Sequence, residues 1–143
     1  MLSKLVTQKF QELFNEKPLL IRSPGRVNLI GEHTDYNEGF VLPAAIDKAI
    51  YFAISPREDK KCSLFALDMN ENFEFELNSL KFTEKHWPNY LMGVVDQILR
   101  MGYNLKGFNC VFSGDIPIGA GMSSSAAIEA GLAFALNHIF NFG

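Results

Sequence analysis

Two stretches of this sequence hold residue types dense enough to do chemistry. The first runs Gly25-Arg26-Val27-Asn28-Leu29-Ile30-Gly31-Glu32-His33-Thr34-Asp35-Tyr36. Glu32, His33 and Asp35 crowd together between Gly31 and the Asn37–Gly39 turn. Two carboxylates and an imidazole on one loop offer several hydrogen-bond acceptors and a donor, a set suited to a polyhydroxyl ligand such as a sugar. Arg26 precedes them. Its fixed positive charge suits a transferred phosphoryl group or a nucleophilic hydroxyl on which charge develops. Plainer readings stand beside these: Asp35 as a turn cap, Arg26–Glu32 as a surface ion pair, or a metal site from Glu32, His33 and Asp35. The metal reading lacks a second His or Cys cluster to complete a coordination shell.

The second stretch is Pro117-Ile118-Gly119-Ala120-Gly121-Met122-Ser123-Ser124-Ser125-Ala126-Ala127. Its glycines let a backbone approach a ligand closely. Its serines fall where a helix opens, and the first N–H groups of a helix have no intrahelical partner. Those donors and the positive end of the helix dipole favour an anion, and the small residues leave room for a phosphate chain. A serine hydroxyl there can also ligate a magnesium ion riding on the phosphates. The alternative is an N-cap after a tight turn. No Lys follows the glycines, so this is not a P-loop, and it is neither GxGxxG nor GxSxG. Trp87 and Tyr90 flank a helix start and can stack an adenine ring, or Trp87 can pack on the core.

The elements that must position these residues follow from periodicity. Leu2, Leu5, Val6, Phe10, Leu13 and Phe14 predict an amphipathic helix over 3–15. A short strand over 19–21 and another over 27–30 are expected, with loops around them. Residues 49–54, 62–67 and 73–77 read as strands, expected to form a meander. Leu91, Val94, Val95, Ile98 and Leu99 stripe a helix that Pro88 can start and Gly102 can end. Phe108, Cys110 and Phe112 alternate as a further strand, and an apolar helix runs over 124–140. Strand runs with separated helices indicate α+β: a mixed sheet of about five strands with the 88–101 and 124–140 helices on one face.

Composition narrows the classes. The chain has 143 residues, 48% hydrophobic and 20% charged, enough for one domain with a packed core. A net charge of -3 gives no bulk reason to expect nucleic acid or an acidic membrane as partner. No run approaches the ~20 apolar residues of a membrane span. With only Cys62 and Cys110, neither a disulfide framework nor a structural zinc site is expected, and the cytoplasm is the expected compartment.

These residues resemble a known family. GRVNLIGEHTDY is similar to the N-terminal signature of galactokinases. GDIPIGAGMSSSAAIEAG resembles the phosphate-binding motif shared by galactokinase, homoserine kinase, mevalonate kinase and phosphomevalonate kinase. FVLPAAIDKAIYFAI and WPNYLMGVVDQIL resemble further galactokinase segments, so the likeness runs over nearly the whole chain.

The resemblance implies ATP-dependent phosphorylation of α-D-galactose at its C1 hydroxyl, with Mg2+. It implies that Glu32, His33 and Asp35 bind sugar hydroxyls and that Arg26 lies near the C1 hydroxyl and the γ-phosphate. Gly119, Gly121, Ser123, Ser124 and Ser125 would surround the ATP phosphates, with Ser124 as magnesium contact, and Trp87 would lie near the adenine. The implied fold is a mixed sheet with helices packed on it, similar to the second domain of a small-subunit ribosomal protein. Galactokinases are much longer. Residues 1–143 are therefore expected to be the N-terminal sugar- and ATP-binding domain, without the C-terminal domain, the catalytic aspartate or the acidic magnesium ligand. Such a piece is expected to be inactive alone, and to self-associate or be marginally stable through its apolar 132–143 tail. An N-acetylgalactosamine kinase and a non-catalytic galactose- and ATP-binding regulator are the alternatives; the intact SSSAA argues for the kinase.

Overall fold

The computed structural model describes residues 2–28, 43–84, 86–114 and 124–141, and within them the side chains other than those of 25–28, 43–48, 86 and 124–126. Its elements are α1 (Leu2–Phe14), β1 (Leu19–Asn28), β2 (Pro43–Pro56), β3 (Lys61–Ala66), β4 (Glu71–Glu76), α2 (His86–Arg100), β5 (Phe108–Gly114) and α3 (Ser124–Phe140). The strands form one five-stranded sheet in the order β1-β2-β5-β3-β4. All neighbours pair antiparallel except β3 and β5, which run parallel. This is the expected mixed α+β sheet.

The meander is corrected. β3 and β4 form a hairpin, but β5 lies between β2 and β3. The reason is visible in the strand: Phe108 to Ser113 are all buried, so β5 needs a strand on each side and cover on both faces. Only a central place supplies that.

The expected short strands over 19–21 and 27–30 are also corrected in part. The first continues as β1 through Ser23-Pro24-Gly25 to Asn28, and residues 29–30 lie outside the described set. Pro24 is tolerated because β1 is an edge strand, where half of the backbone N–H groups face no ladder partner. The register shifts between Pro24, opposite Ala49, and Arg26, opposite Ala45. β2 accommodates extra residues there. The shift is even, so the alternation of faces survives it.

Strand alternation sorts the core into two layers. Phe52, Ile54, Cys62, Leu64, Cys110 and Phe112 face α2 and α3. Ala53, Phe65 and Val111 face the opposite way, against Val6 and Phe10 of α1. The two helices expected on one face are there, and α1 covers the other.

Helix ends are set locally. α2 stops at Gly102, whose φ of +87° costs a residue without Cβ little. Its N–H reaches the Leu99 carbonyl at 3.0 Å and that of Tyr103 reaches Ile98 at 3.4 Å, the paired bonds of a glycine C-cap. α3 lies close on the sheet because position 131 is glycine: an added Cβ would stand 2.8 Å from Ser23 Cβ and run into the Phe52 ring.

Candidate active site at the end of the sheet

β1 and β5 are both antiparallel to the strand between them, so they point the same way, and β3 runs parallel to β5. All three therefore leave the sheet at one end. One row of pairs marks its approach: Ile21–Phe52–Phe112–Ala66–Glu71. Beyond that row β5 stops at Gly114, paired with Ile50, while β1 runs on to Asn28 opposite Pro43. The two chemistry-bearing stretches of sequence are attached to the exits of β1 and β5. Tertiary pairing thus brings to one end of the sheet the Asn28 end of β1 and the Gly114 end of β5, which are far apart in the chain.

Both large helices open toward this end. Ser23 Oγ–H donates to the Ala127 carbonyl at 2.6 Å, which ties the first turn of α3 to β1 just before its exit. Trp87, in the first turn of α2, packs on Phe112 with ring centroids 5.6 Å apart and meets Phe73 edge-on at 6.3 Å. Its Nε1–H donates to Glu71 Oε1 at 2.8 Å. Neither helix carries an acidic residue in its own first turn.

The individual expectations fall as follows. Arg26 is placed by its backbone, in β1 opposite Ala45; its side chain is outside the described set. Ser124 and Ser125 are the first two residues of α3, again without described side chains. Glu32, His33, Asp35, Gly119, Gly121 and Ser123 lie outside the described residues. Trp87 is 8% exposed and belongs to the core cluster, whereas Tyr90 is 40% exposed.

Three residues at this end carry structure that the motifs did not single out. Ser23 and Glu71 make the bonds above. Asp68, in the turn after β3, accepts from Ser113 Oγ–H and from Gly114 N–H, the latter at 3.1 Å. A polar residue directly after a buried strand was the available signal, but only pairing shows which strand it reaches.

The remaining chemistry is silent. Cys62 and Cys110 are free and buried. Burial pushes the Cys62 thiol up to about 12 and raises that of Cys110 as well, so neither is a nucleophile near neutrality. Among the described residues no group of three or more His, Cys, Asp or Glu could hold a metal ion. Among them, too, no helix is long and apolar enough to cross a membrane.

Comparison with known proteins agrees with this geometry. Residues 8–56 match the galactokinase galactose-binding signature, and residues 89–143 match the N-terminal domain of GHMP kinases. The galactokinase of Staphylococcus carnosus is 44% identical over 138 residues, 93% of this chain and 36% of its own length. That of Roseiflexus is 42% identical over 128 residues, 89% of this chain and 33% of its own. The crystal structure of Lactococcus lactis galactokinase complexed with galactose superposes with a TM-score of 0.83 at 39% identity, covering 99% of this chain and 38% of that one. A Methanococcus jannaschii mevalonate kinase, 24% identical with a TM-score of 0.74, shares the fold over 89% of this chain and 42% of its own. The chain spans about a third of the length of the galactokinases it matches. Two signatures in the order and spacing of one enzyme class, on the sheet of a galactokinase, place this chain in the galactokinase family of GHMP kinases, over the N-terminal part of that family's sequence.

Proposed function

We propose that the protein to which this chain belongs phosphorylates α-D-galactose at its C1 hydroxyl with ATP, and that residues 1–143 form its N-terminal sugar- and ATP-binding domain. The observation that carries the reading is the shared exit of β1 and β5: the stretch with the candidate hydroxyl-binding residues and the candidate phosphate-binding stretch continue from strand ends at the same end of the sheet. A phosphoryl transfer needs that adjacency more than it needs covalent chemistry, because positioning and charge stabilisation supply most of the rate.

In this reading Glu32, His33 and Asp35 hold sugar hydroxyls, and Arg26, carried on the last residues of β1, faces the C1 hydroxyl and the transferred phosphate. Gly119, Gly121, Ser123, Ser124 and Ser125 surround the ATP phosphates, supported by the N-terminus of α3, whose first turn holds no acidic residue. Trp87 borders the adenine from the core side, its indole fixed by Glu71 and Phe112. A magnesium ion fits a hard hydroxyl donor such as Ser124, with most of its shell from phosphate and water; it would neutralise phosphate charge. The aspartate base and an acidic magnesium ligand belong to the C-terminal domain in this scheme. Exposed Phe134 on the outer side of α3 supports either cover by that domain or self-association. Two free cysteines support a cytoplasmic setting.

The test joins residues 1–143 to the C-terminal two thirds of the Staphylococcus carnosus galactokinase. Galactose-dependent ATP consumption that yields galactose 1-phosphate is expected, lost in R26A and D35A and absent from residues 1–143 alone. Preference for N-acetylgalactosamine would change the substrate; ligand binding without turnover would favour the regulator. Binding of neither sugar nor Mg·ATP would sink the reading.

A further inference from the structure

One carboxylate at the exit end of the sheet has both oxygens occupied by the last residues of β5. Asp68 accepts the Ser113 hydroxyl with Oδ1 and the Gly114 N–H with Oδ2 at 3.1 Å. Ser113 is 1% exposed, so its hydroxyl is a buried donor whose acceptor comes from the neighbouring turn. One residue before Asp68, the Leu67 N–H donates to the Phe112 carbonyl at 3.0 Å and extends the parallel pairing of β3 with β5. Gly114 is the final residue of β5, and the sequence from there to Ser124 is the glycine–serine segment. The far side of that segment is tied down by the Ser23–Ala127 bond.

We propose that Asp68 is a positioning residue: it fixes where the glycine–serine segment leaves the sheet and so strengthens the hold of that segment on nucleotide phosphates. The proposal rests on the phosphate reading above. Backbone donors grip an anion well only when they are held in place before it arrives, and a rigid strand end is the available support. The sign of the charge makes the idea testable. A carboxylate near a phosphate site repels the phosphate. If Asp68 acted through its charge alone, neutralising it would tighten nucleotide binding. If it acts through the two bonds it accepts, neutralising it weakens binding.

The experiment uses residues 1–143 joined to the C-terminal two thirds of the Staphylococcus carnosus galactokinase, as wild type, D68N, S113A and D96N, the last removing the same charge from an exposed Asp96–Arg100 pair on α2. Calorimetry measures Mg·ATP affinity and NMR measures exchange of the Gly114 amide without ligand. In D68N we expect affinity to fall about 5- to 10-fold and Gly114 exchange to quicken by about tenfold, since an anchored amide loses its acceptor geometry. S113A, with charge unchanged, moves both in the same direction, and D96N moves neither by more than about twofold. Equal or tighter binding by D68N, or unchanged Gly114 exchange in both variants, overturns the proposal. Should D68N fail to fold, S113A decides by the same criteria. A wild-type chimera that binds no Mg·ATP overturns the phosphate reading and the nucleotide half of this proposal with it, and the exchange measurement then judges the anchor by itself.

Discussion

Replacing Gly131 with alanine sets two effects against each other at the contact that seats α3. Helix propensity favours the change, by about 0.8–1 kcal/mol in a helix interior. Packing opposes it. The new Cβ would stand 2.8 Å from Ser23 Cβ and 3.1 Å from Phe52 Cζ, and closer still to Phe52 Cε1. Carbon atoms in contact prefer about 3.5–4.0 Å. Phe52 cannot swing aside freely, because it is wholly buried and stacks on Phe112 at 5.9 Å. Overpacking of this kind costs about 1–3 kcal/mol. Lifting α3 to relieve it would stretch the 2.6 Å bond from Ser23 to Ala127. That loss adds about 1 kcal/mol. The net expectation is a destabilisation of about 1–3 kcal/mol, or roughly 5- to 150-fold in the folded-to-unfolded ratio. Trp87 is the single tryptophan and sits in the same core cluster, so urea unfolding followed by its fluorescence reads the effect directly. With a slope of about 1–3 kcal/mol/M the midpoint should fall by about 0.3–3 M. A midpoint equal to or above that of the wild type would show that propensity wins and that α3 is not seated as tightly as the Gly131 contact requires.

Two further outcomes follow from bonds away from that contact. E71A removes the acceptor of the Trp87 Nε1–H, which is buried with its ring, and should cost about 1–3 kcal/mol, whereas E71Q keeps an acceptor and should cost less than half as much; equal losses in the two urea melts would contradict it. The Arg57 guanidinium donates to both oxygens of Asp59, at 2.8 and 2.9 Å, and holds its carboxyl down at about 2. A lowered folded-state value stabilises above the unfolded value of about 3.9 and is lost as pH falls through the folded one. The stability advantage of wild type over D59N should therefore be present above about pH 4 and vanish toward about pH 2, and a gap unchanged at that acidity in paired melts would refute the assignment.

Much of this chain is legible in order of residues, and the reason differs from element to element. α1, α2 and β4 announce themselves because one side of each meets water, so polarity alternates at the period of the backbone. Gly102 could be read as the end of α2 because a left-handed residue without Cβ is a local requirement. The two motifs are legible because their chemistry is carried by contiguous residue types. α3 was legible as a helix, but its apolar character all round does not say which side faces the sheet. That was settled by Gly131 meeting Ser23 of β1 and Phe52 of β2, with Leu132 and Leu136 in the same core.

What only the tertiary structure decided is adjacency. Local propensity says nothing about whether β2 pairs with β3 or with β5, because a strand buried on both faces such as Phe108–Gly114 looks the same in any central place. Inserting β5 beside β2 makes β1 and β5 parallel and brings their exits together. It also carries Asp68 to Ser113, forty-five positions on, and Ser23 to Ala127, one hundred and four positions on. The sequence by itself determined which residues could do the chemistry, since that is a property of side chains. The sheet order determined that the strands from which those residues continue, β1 and β5, leave the sheet at one end, since hydrogen-bond pairing between distant strands is a property of the folded chain alone.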